Sequence, residues 1–286
     1  MAAKKTRKKE GRKPLLPIRS SPVQTIDRVS LLLEVLAQAP AGISLGELAA
    51  RVRLPKGTTH RLLSSLAFFG FARQDPESKK YFLGYKVVEL GQRVLNQLDL
   101  RREARPFLMD LAEKTRETVH LVLLDRQEVL YLDRVEADED LRVLRTGSKI
   151  GTRTTAHSSA VGKVLLAHLP GGQFEDFIRQ KGLPCKTPKT ITNPNDLRRH
   201  LRMVRDLGYA VDDEENEEGV RCVAAPLRDE SGAVVAAISI SGPSVRMTPK
   251  LIRDSLNREV REAALKISAK LGFRQPMDRE APSEKG

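Results

Sequence analysis

Ser239 and Ser241 alternate with Ile238 and Ile240, a period of two that turns both hydroxyls to one face of a strand and both isoleucines to the other. Paired hydroxyls of this kind can hold a polar ligand. Ser158-Ser159 stand at the start of a helical stretch that carries Gly162 and Lys163. The first turn of a helix leaves amide hydrogens without intrahelical partners, and that makes a corner for an anion such as a carboxylate. Nucleophilic catalysis is the competing chemistry: Ser159 or Cys222 would attack, His157 would take the proton and Asp212 would orient the imidazole. Gly42-Ile43-Ser44-Leu45-Gly46 also matches the G-x-S-x-G pattern of hydrolases. That motif needs a strand running into the serine, whereas a helix and a Pro-Ala-Gly break precede this one, so Ser44 reads as a helix cap. The five histidines and two cysteines lack zinc-ligand spacing, and neither a phosphate loop nor a dinucleotide fingerprint occurs, so no metal or cofactor is expected. A third group, Lys56, Gly57, Thr58, Thr59, His60, Arg61 and Ser64, combines small residues with donors that reach phosphates and base edges in a major groove.

Those last residues need a helix set across a turn from another. Apolar residues at Val23, Ile26, Val29, Leu32, Leu33 and Leu36 predict a first helix, which Pro40-Ala41-Gly42 ends. Ser44 and Glu47 have the spacing of a capping box for a short helix over 45–52. Arg53-Leu54 makes the turn, and Pro55 opens a third helix that runs to about Phe69. On a helical wheel Thr59, Leu62, Leu63, Leu66 and Phe69 face inward, while Gly57, His60, Arg61 and Ser64 face out with Lys56 and Thr58 beside them. Such a face, read alone, is equally that of an ordinary amphipathic helix. Residues 71–74 and 80–83 then alternate like strands around Asp75-Pro76-Glu77-Ser78, so a basic hairpin with Lys79 and Lys80 follows directly. Two short helices, a tight turn and a wing make a winged helix-turn-helix, with duplex operator DNA as its partner.

The elements that carry the serines lie further on. Residues 85–100 predict a helix with more apolar surface than a monomeric linker needs, suited to pairing with a second copy, and 108–114 predict another helix. Apolar runs at 120–124, 129–135, 141–145, 220–227 and 233–241 predict strands, interrupted by helices at 160–168, 195–207 and 250–270. A sheet flanked by helices makes the whole chain α+β in two domains. Cys222 reads either as an apolar filler on its strand or as a ligand contact, and His157 either orients its loop or touches the ligand. The acidic run over 212–218 lacks the glycine and oxygen spacing of a calcium loop and reads as solvated, with Asp212 alone singled out.

At 286 residues two cores fit the chain, and 40% hydrophobic with 30% charged residues argues against wholesale disorder. No run of 18 apolar residues spans a bilayer, the first twenty residues lack the apolar segment of a secretory signal, and the two distant cysteines suit a reducing cytoplasm. The net charge of +13 is concentrated at the start, where residues 1–20 hold eight basic side chains against one acidic. That arm reads as a solubilising disordered leader or as a DNA-contacting tail. The implied division is an arm over 1–20, a DNA-binding domain over 21–84, a dimerisation helix over 85–100, an effector domain over 101–274 and a tail over 275–286.

Several stretches, in order, resemble the IclR (isocitrate lyase regulator) type of bacterial transcription regulators. They are Leu45-Gly46-Glu47-Leu48-Ala49, the run from Leu54 to Leu63, Tyr81-Phe82-Leu83-Gly84, the run from His157 to Lys163, the run from Gly208 to Glu215, the run from Gly219 to Pro226, and Ile238 to Pro243. The resemblance spans about residues 23 to 273. It implies a GAF-like effector domain, a regulator rather than an enzyme, a homodimer or dimer of dimers, and a small organic acid held by Ala160, Val161, Asp212, Cys222, Ser239 and Ser241, to which the helix start adds Ser159. Ala160 and Val161 are each bulkier than the glycine and alanine of some members.

Overall fold

A computed structural model describes residues 22–97, 99–136 and 148–274. The chain divides into two compact units, residues 1–94 and 95–286.

The first unit opens with α1 (Gln24–Ala37), whose Leu32, Val35 and Leu36 are buried while Val23 and Ile26 remain exposed. The capping box forms as its spacing predicts. The Ser44 hydroxyl accepts the Glu47 amide hydrogen at 3.3 Å and the Ser44 amide donates to the Glu47 carboxylate at 3.2 Å, starting α2 (Leu45–Val52). Arg53 closes α2 in the left-handed region at φ 55°, so the chain reverses within two residues into α3 (Lys56–Phe68). Leu48, Val52, Leu63 and Leu66 meet the α1 residues in one core. The wing follows as β1 (Ala72–Gln74) and β2 (Tyr81–Leu83), antiparallel, with the Asp75 carboxylate accepting from both the amide and the hydroxyl of Ser78 in the turn. Gly84 lets this hairpin close on the end of α3, since a Cβ there would lie 2.0 Å from the Gly70 carbonyl oxygen. Next is α4 (Lys86–Gln97).

The second unit is a six-stranded antiparallel sheet between helices. Its strands are β3 (Thr118–Asp125), β4 (Glu128–Val135), β5 (Arg153–Thr154), β6 (Ala210–Asp213), β7 (Val220–Arg228) and β8 (Val234–Pro243), in the spatial order β5-β4-β3-β8-β7-β6. On one face Leu121, Leu132, Val223, Ile238 and Ile240 pack against α5 (Asp99–Thr115) and the C-terminal helix. That helix runs as a short α9 (Pro249–Leu251), a π segment over Ile252–Leu256 and α10 (Asn257–Lys270), not as the single α-helix that 250–270 predicts. On the other face Val122, Val129, Ala224 and Ala237 pack against α6 (Ala160–Ala167), α7 (Gln173–Lys181) and α8 (Pro194–Leu207). Period-two alternation on β8 is what sends Ile238 and Ile240 to the first face and Ser239 and Ser241 to the second. The helix expected over 108–114 belongs to the longer α5, and the strand expected over 141–145 lies outside the described residues. Among the described residues no helix is long and apolar enough to cross a membrane.

Candidate functional sites

On α3 the side chains of Lys56, His60, Arg61 and Ser64 are exposed along with Gly57, and Thr58 is half-buried. Thr59 differs from its place among the DNA-facing residues. It is fully buried and its hydroxyl donates to the Pro55 carbonyl at 3.1 Å, because α3 turns it toward Leu63 and the core. Phe69 reverses the other expectation: it follows the last turn of α3 and is 64% exposed, with its ring edge-on to the exposed Phe68. On the wing Lys79 is exposed and Lys80 partly so. Arg73 lies over the Phe82 ring at 4.4 Å, which stiffens the hairpin from its outer side. The ion pairs of this unit sit on α4, Lys86 and Arg93 with Glu89, so Lys56, Arg61, Lys79 and Lys80 form none among the described residues. Their charge stays available to a polyanion.

In the second unit one cavity of about 170 Å³ gathers residues from every strand of the sheet and from the start of α6. Ser159, Ala160 and Val161 line it from the helix, Asp212 from β6, Cys222 from β7, and Ser239 and Ser241 from β8. These are the seven side chains singled out in the sequence. Ser159 caps α6, accepting the Gly162 amide hydrogen at 3.2 Å while its own hydroxyl donates to the Thr155 carbonyl at 3.0 Å. The helix can sit this low because position 162 is glycine: a Cβ there would be 2.1 Å from the Ala156 carbonyl oxygen. Behind the cavity Lys163 is fully buried and its Nζ pairs with Glu215 Oε1 at 2.5 Å. Asp212 accepts the amide hydrogens of Glu215 at 2.7 Å and Asn216 at 3.3 Å, so it orders the loop after β6 as well as facing the cavity. Burial lifts its carboxyl to about 7, against the pull of Lys163. Burial likewise pushes the Cys222 thiol and the Tyr131 phenol up, keeping both neutral at physiological pH.

Sequence periodicity missed the other wall of the cavity, which includes His120 on β3, Tyr131 on β4 and Ser148. His120 is buried, with Nε2 at 3.0 Å from Ser148 Oγ and Nδ1 at 3.3 Å from Ser241 Oγ. A polar His120 ahead of Val122 and Leu124 on an otherwise apolar strand face was the available signal. The triad reading does not assemble. His157 does not line the cavity, its Nε2 meets the Pro184 carbonyl at 3.0 Å, and no hydrogen bond joins it to Ser159, Cys222 or Asp212 among the described residues. Ser159 is committed to the Thr155 carbonyl, and burial holds the Cys222 thiol neutral. Among the described residues no group of acidic, histidine or cysteine side chains could hold a metal ion.

Comparison with known proteins agrees with both units. Residues 25–76 match the IclR helix-turn-helix domain and residues 92–269 match the bacterial transcriptional regulator IclR C-terminal domain. The transcriptional regulator KdgR of Escherichia coli is 36% identical over 251 residues, 88% of this chain and 94% of that protein. The crystal structure of Thermotoga maritima IclR is 35% identical, covers 87% of this chain and 99% of its own, and superposes with a TM-score of 0.72. An IclR homologue from Microbacterium hydrocarbonoxydans, solved in complex with 4-hydroxybenzoate, is 28% identical over 87% of this chain and 99% of its own, with a TM-score of 0.74. A helix-turn-helix with its wing, a helix-flanked antiparallel sheet and these matches along most of its length make the chain a member of the IclR family of transcription regulators, with a C-terminal effector-binding domain.

Proposed function

We propose that the chain binds operator DNA as a homodimer through α3 and the β1–β2 wing, and that a small carboxylate in the cavity alters that binding. Lys56, Gly57, Thr58, His60, Arg61 and Ser64 enter the major groove, while Lys79 and Lys80 hold phosphates. A reader of this size covers one half-site, so two copies bind a near-palindrome. The exposed Phe68, Phe69 and Tyr85 give this unit apolar surface for a second copy.

The observation that carries the sensing half is convergence: seven residues from four separate elements open on one cavity beneath a helix start. The free amide hydrogens of the first α6 turn and the hydroxyls of Ser239 and Ser241 suit carboxylate oxygens. Asp212, being acidic, accepts from a ligand hydroxyl or orders its loop rather than touching the carboxylate. The bound acid of the Microbacterium homologue supports the same ligand class. A ligand changes DNA binding only by binding the competent and incompetent states with different affinity. Fluorescence polarisation of a labelled promoter fragment, titrated with a panel of small carboxylates including 4-hydroxybenzoate, tests this. At least one acid shifts DNA affinity in the wild type and none does in Ser239→Ala/Ser241→Ala. An equal response of both proteins moves the sensing site elsewhere.

A further inference from the structure

The cavity has two unlike ends. Between Arg153 on β5 and Glu217 beyond β6, which also line it, polar groups form a row across the sheet, from Tyr131 on β4 through His120 on β3, Ser239 and Ser241 on β8 and Cys222 on β7 to Asp212 on β6. Three strand spacings of about 4.8 Å separate the backbones of β3 and β6, roughly 14 Å. On the sheet α6 packs chiefly over β7 and β8. The β3–β4 end therefore has an imidazole and a phenol where the other has helix amides. We propose that His120, with Tyr131, is a specificity-determining residue: this end takes an uncharged oxygen of the effector, so the effector is a small monocarboxylate bearing a hydroxyl or oxo group. The proposal rests on reading the cavity as the effector site.

Burial first, and the Arg134 cation second, hold the His120 ring neutral, its pKa pulled down to about 3. A neutral imidazole has one N–H and one lone pair. With Ser148 at Nε2 and Ser241 at Nδ1, and Ser239 Oγ 3.5 Å beyond Ser241, the ring stands in the middle of a chain of hydroxyls. If Nδ1 carries the hydrogen, Ser241 accepts from the ring and its own hydrogen is free to point toward Ser239, which then offers its hydrogen to the cavity. If Nε2 carries it, Ser148 accepts, Ser241 donates to Nδ1, Ser239 donates to Ser241, and lone pairs face the cavity. The two tautomers thus present a donor to an oxo group or an acceptor to a hydroxyl. Tyr131 adds a phenol whose hydroxyl has no hydrogen-bond partner among the described residues, and burial keeps it protonated.

Charge excludes the alternatives. Among the described residues the cations near this end are engaged: Arg134 donates to the Ser148 carbonyl at 2.8 Å and pairs with Glu136 at 2.6 Å, and Arg153, which lines the cavity, pairs with Asp125. A second carboxylate here would have to draw Arg153 away from Asp125 or be buried without a counter-ion. An unsubstituted acid would expel water and leave the Tyr131 and Ser239 hydroxyls unsatisfied. Size agrees. About 170 Å³ corresponds to roughly six waters at ~30 Å³ each, room for a small organic acid.

Calorimetric titration of the full chain with matched probes tests this: benzoate against 4-hydroxybenzoate, butanoate against 2-oxobutanoate and 2-hydroxybutanoate, and succinate as the doubly charged acid. In the wild type an oxygen-bearing acid binds about tenfold or more tighter than its plain partner and than succinate. In His120→Phe the preference collapses to within about threefold. Should that variant fail to fold, Tyr131→Phe, which loses a single hydroxyl, narrows the same preference. Equal binding of plain and oxygenated acids by the wild type, abolished in Ser239→Ala/Ser241→Ala, overturns the role of His120 and leaves the cavity as the effector site. Discrimination that survives both His120→Phe and Tyr131→Phe overturns it as well. Binding that also ignores Ser239→Ala/Ser241→Ala, or no binding of any probe, overturns the cavity reading with it.

Discussion

Replacing Asp212 with asparagine isolates the cost of a carboxylate in the cavity. The side chain is 2% exposed, and burial raises its carboxyl from an ordinary 3.8 to about 7 in spite of Lys163. Between those two values the folded protein holds a proton that the unfolded chain has already released. More protons are bound by the folded state, so stability falls as pH rises, by about 1.4 kcal/mol per pH unit for this group, and levels off above pH 7. The whole interval is worth about 4 kcal/mol. Asp212→Asn keeps an oxygen that can accept the amide hydrogens of Glu215 and Asn216 and never ionises. Below pH 4 the two proteins are of similar stability. By pH 8 the variant is the more stable, with the gap opening progressively between. Urea unfolding at pH 5, 6, 7 and 8, with the midpoint difference plotted against pH, reads this directly. A difference that stays flat across that range refutes the argument, since it means Asp212 ionises as freely in the cavity as in water. The same charge bears on function: an anionic effector binds less tightly once Asp212 is ionised, so its affinity falls above pH 7.

Arg61→Ala lowers operator affinity by about 1–3 kcal/mol if the guanidinium reads a base, and an unchanged gel-shift midpoint removes Arg61 from the interface. Lys79→Ala and Lys80→Ala weaken binding to all sequences alike and each reduce the slope of log affinity against log salt by about 1; a slope equal to wild type means that the wing does not touch phosphate. Gly162→Ala puts a Cβ against the Ala156 carbonyl, so α6 must lift. Its melting temperature drops by the equivalent of about 1–3 kcal/mol and ligand-induced stabilisation is lost, whereas a wild-type melt would mean that α6 has slack.

The features legible in the sequence are those governed by neighbours within four residues or by strict periodicity. Ser44 with Glu47, the Arg53-Leu54 turn before Pro55, and the alternation on β8 are all local, and α2, α3 and β8 stand within about two residues of their expected bounds. The basic hairpin is legible for the same reason. Phe69, which the wheel turns inward, is exposed because α3 ends before it. What else escaped depends on partners far along the chain. The two-residue β5 exists only because β4 lies beside it. Helix α7 is mostly polar and buries only Phe177, too little apolar pattern to declare itself. His120 and Tyr131 could not be placed in the cavity without the pairing of β3 with both β4 and β8, which joins segments about 120 residues apart.

That pairing holds one irregularity on which the cavity depends. Val122 pairs with Tyr131 but Leu121 pairs with Asp133, so Leu132 is an extra residue on β4. In a regular strand Tyr131 and Asp133, two apart, would share a face. The bulge separates them. Tyr131 turns to the cavity, and Asp133 turns to α5, where it is fully buried and accepts from Arg105 at 2.7 and 2.8 Å with Arg101 at 3.3 Å. A buried carboxylate is tolerated there because two guanidinium groups and the Arg134 amide compensate it. On the cavity side the same carboxylate would have added its negative charge to the acidic side chains of Asp212 and Glu217 and repelled an organic acid. One inserted residue therefore keeps the β4 wall of the cavity neutral and, through the next side chain but one, ties that wall to the helix on the opposite face of the sheet.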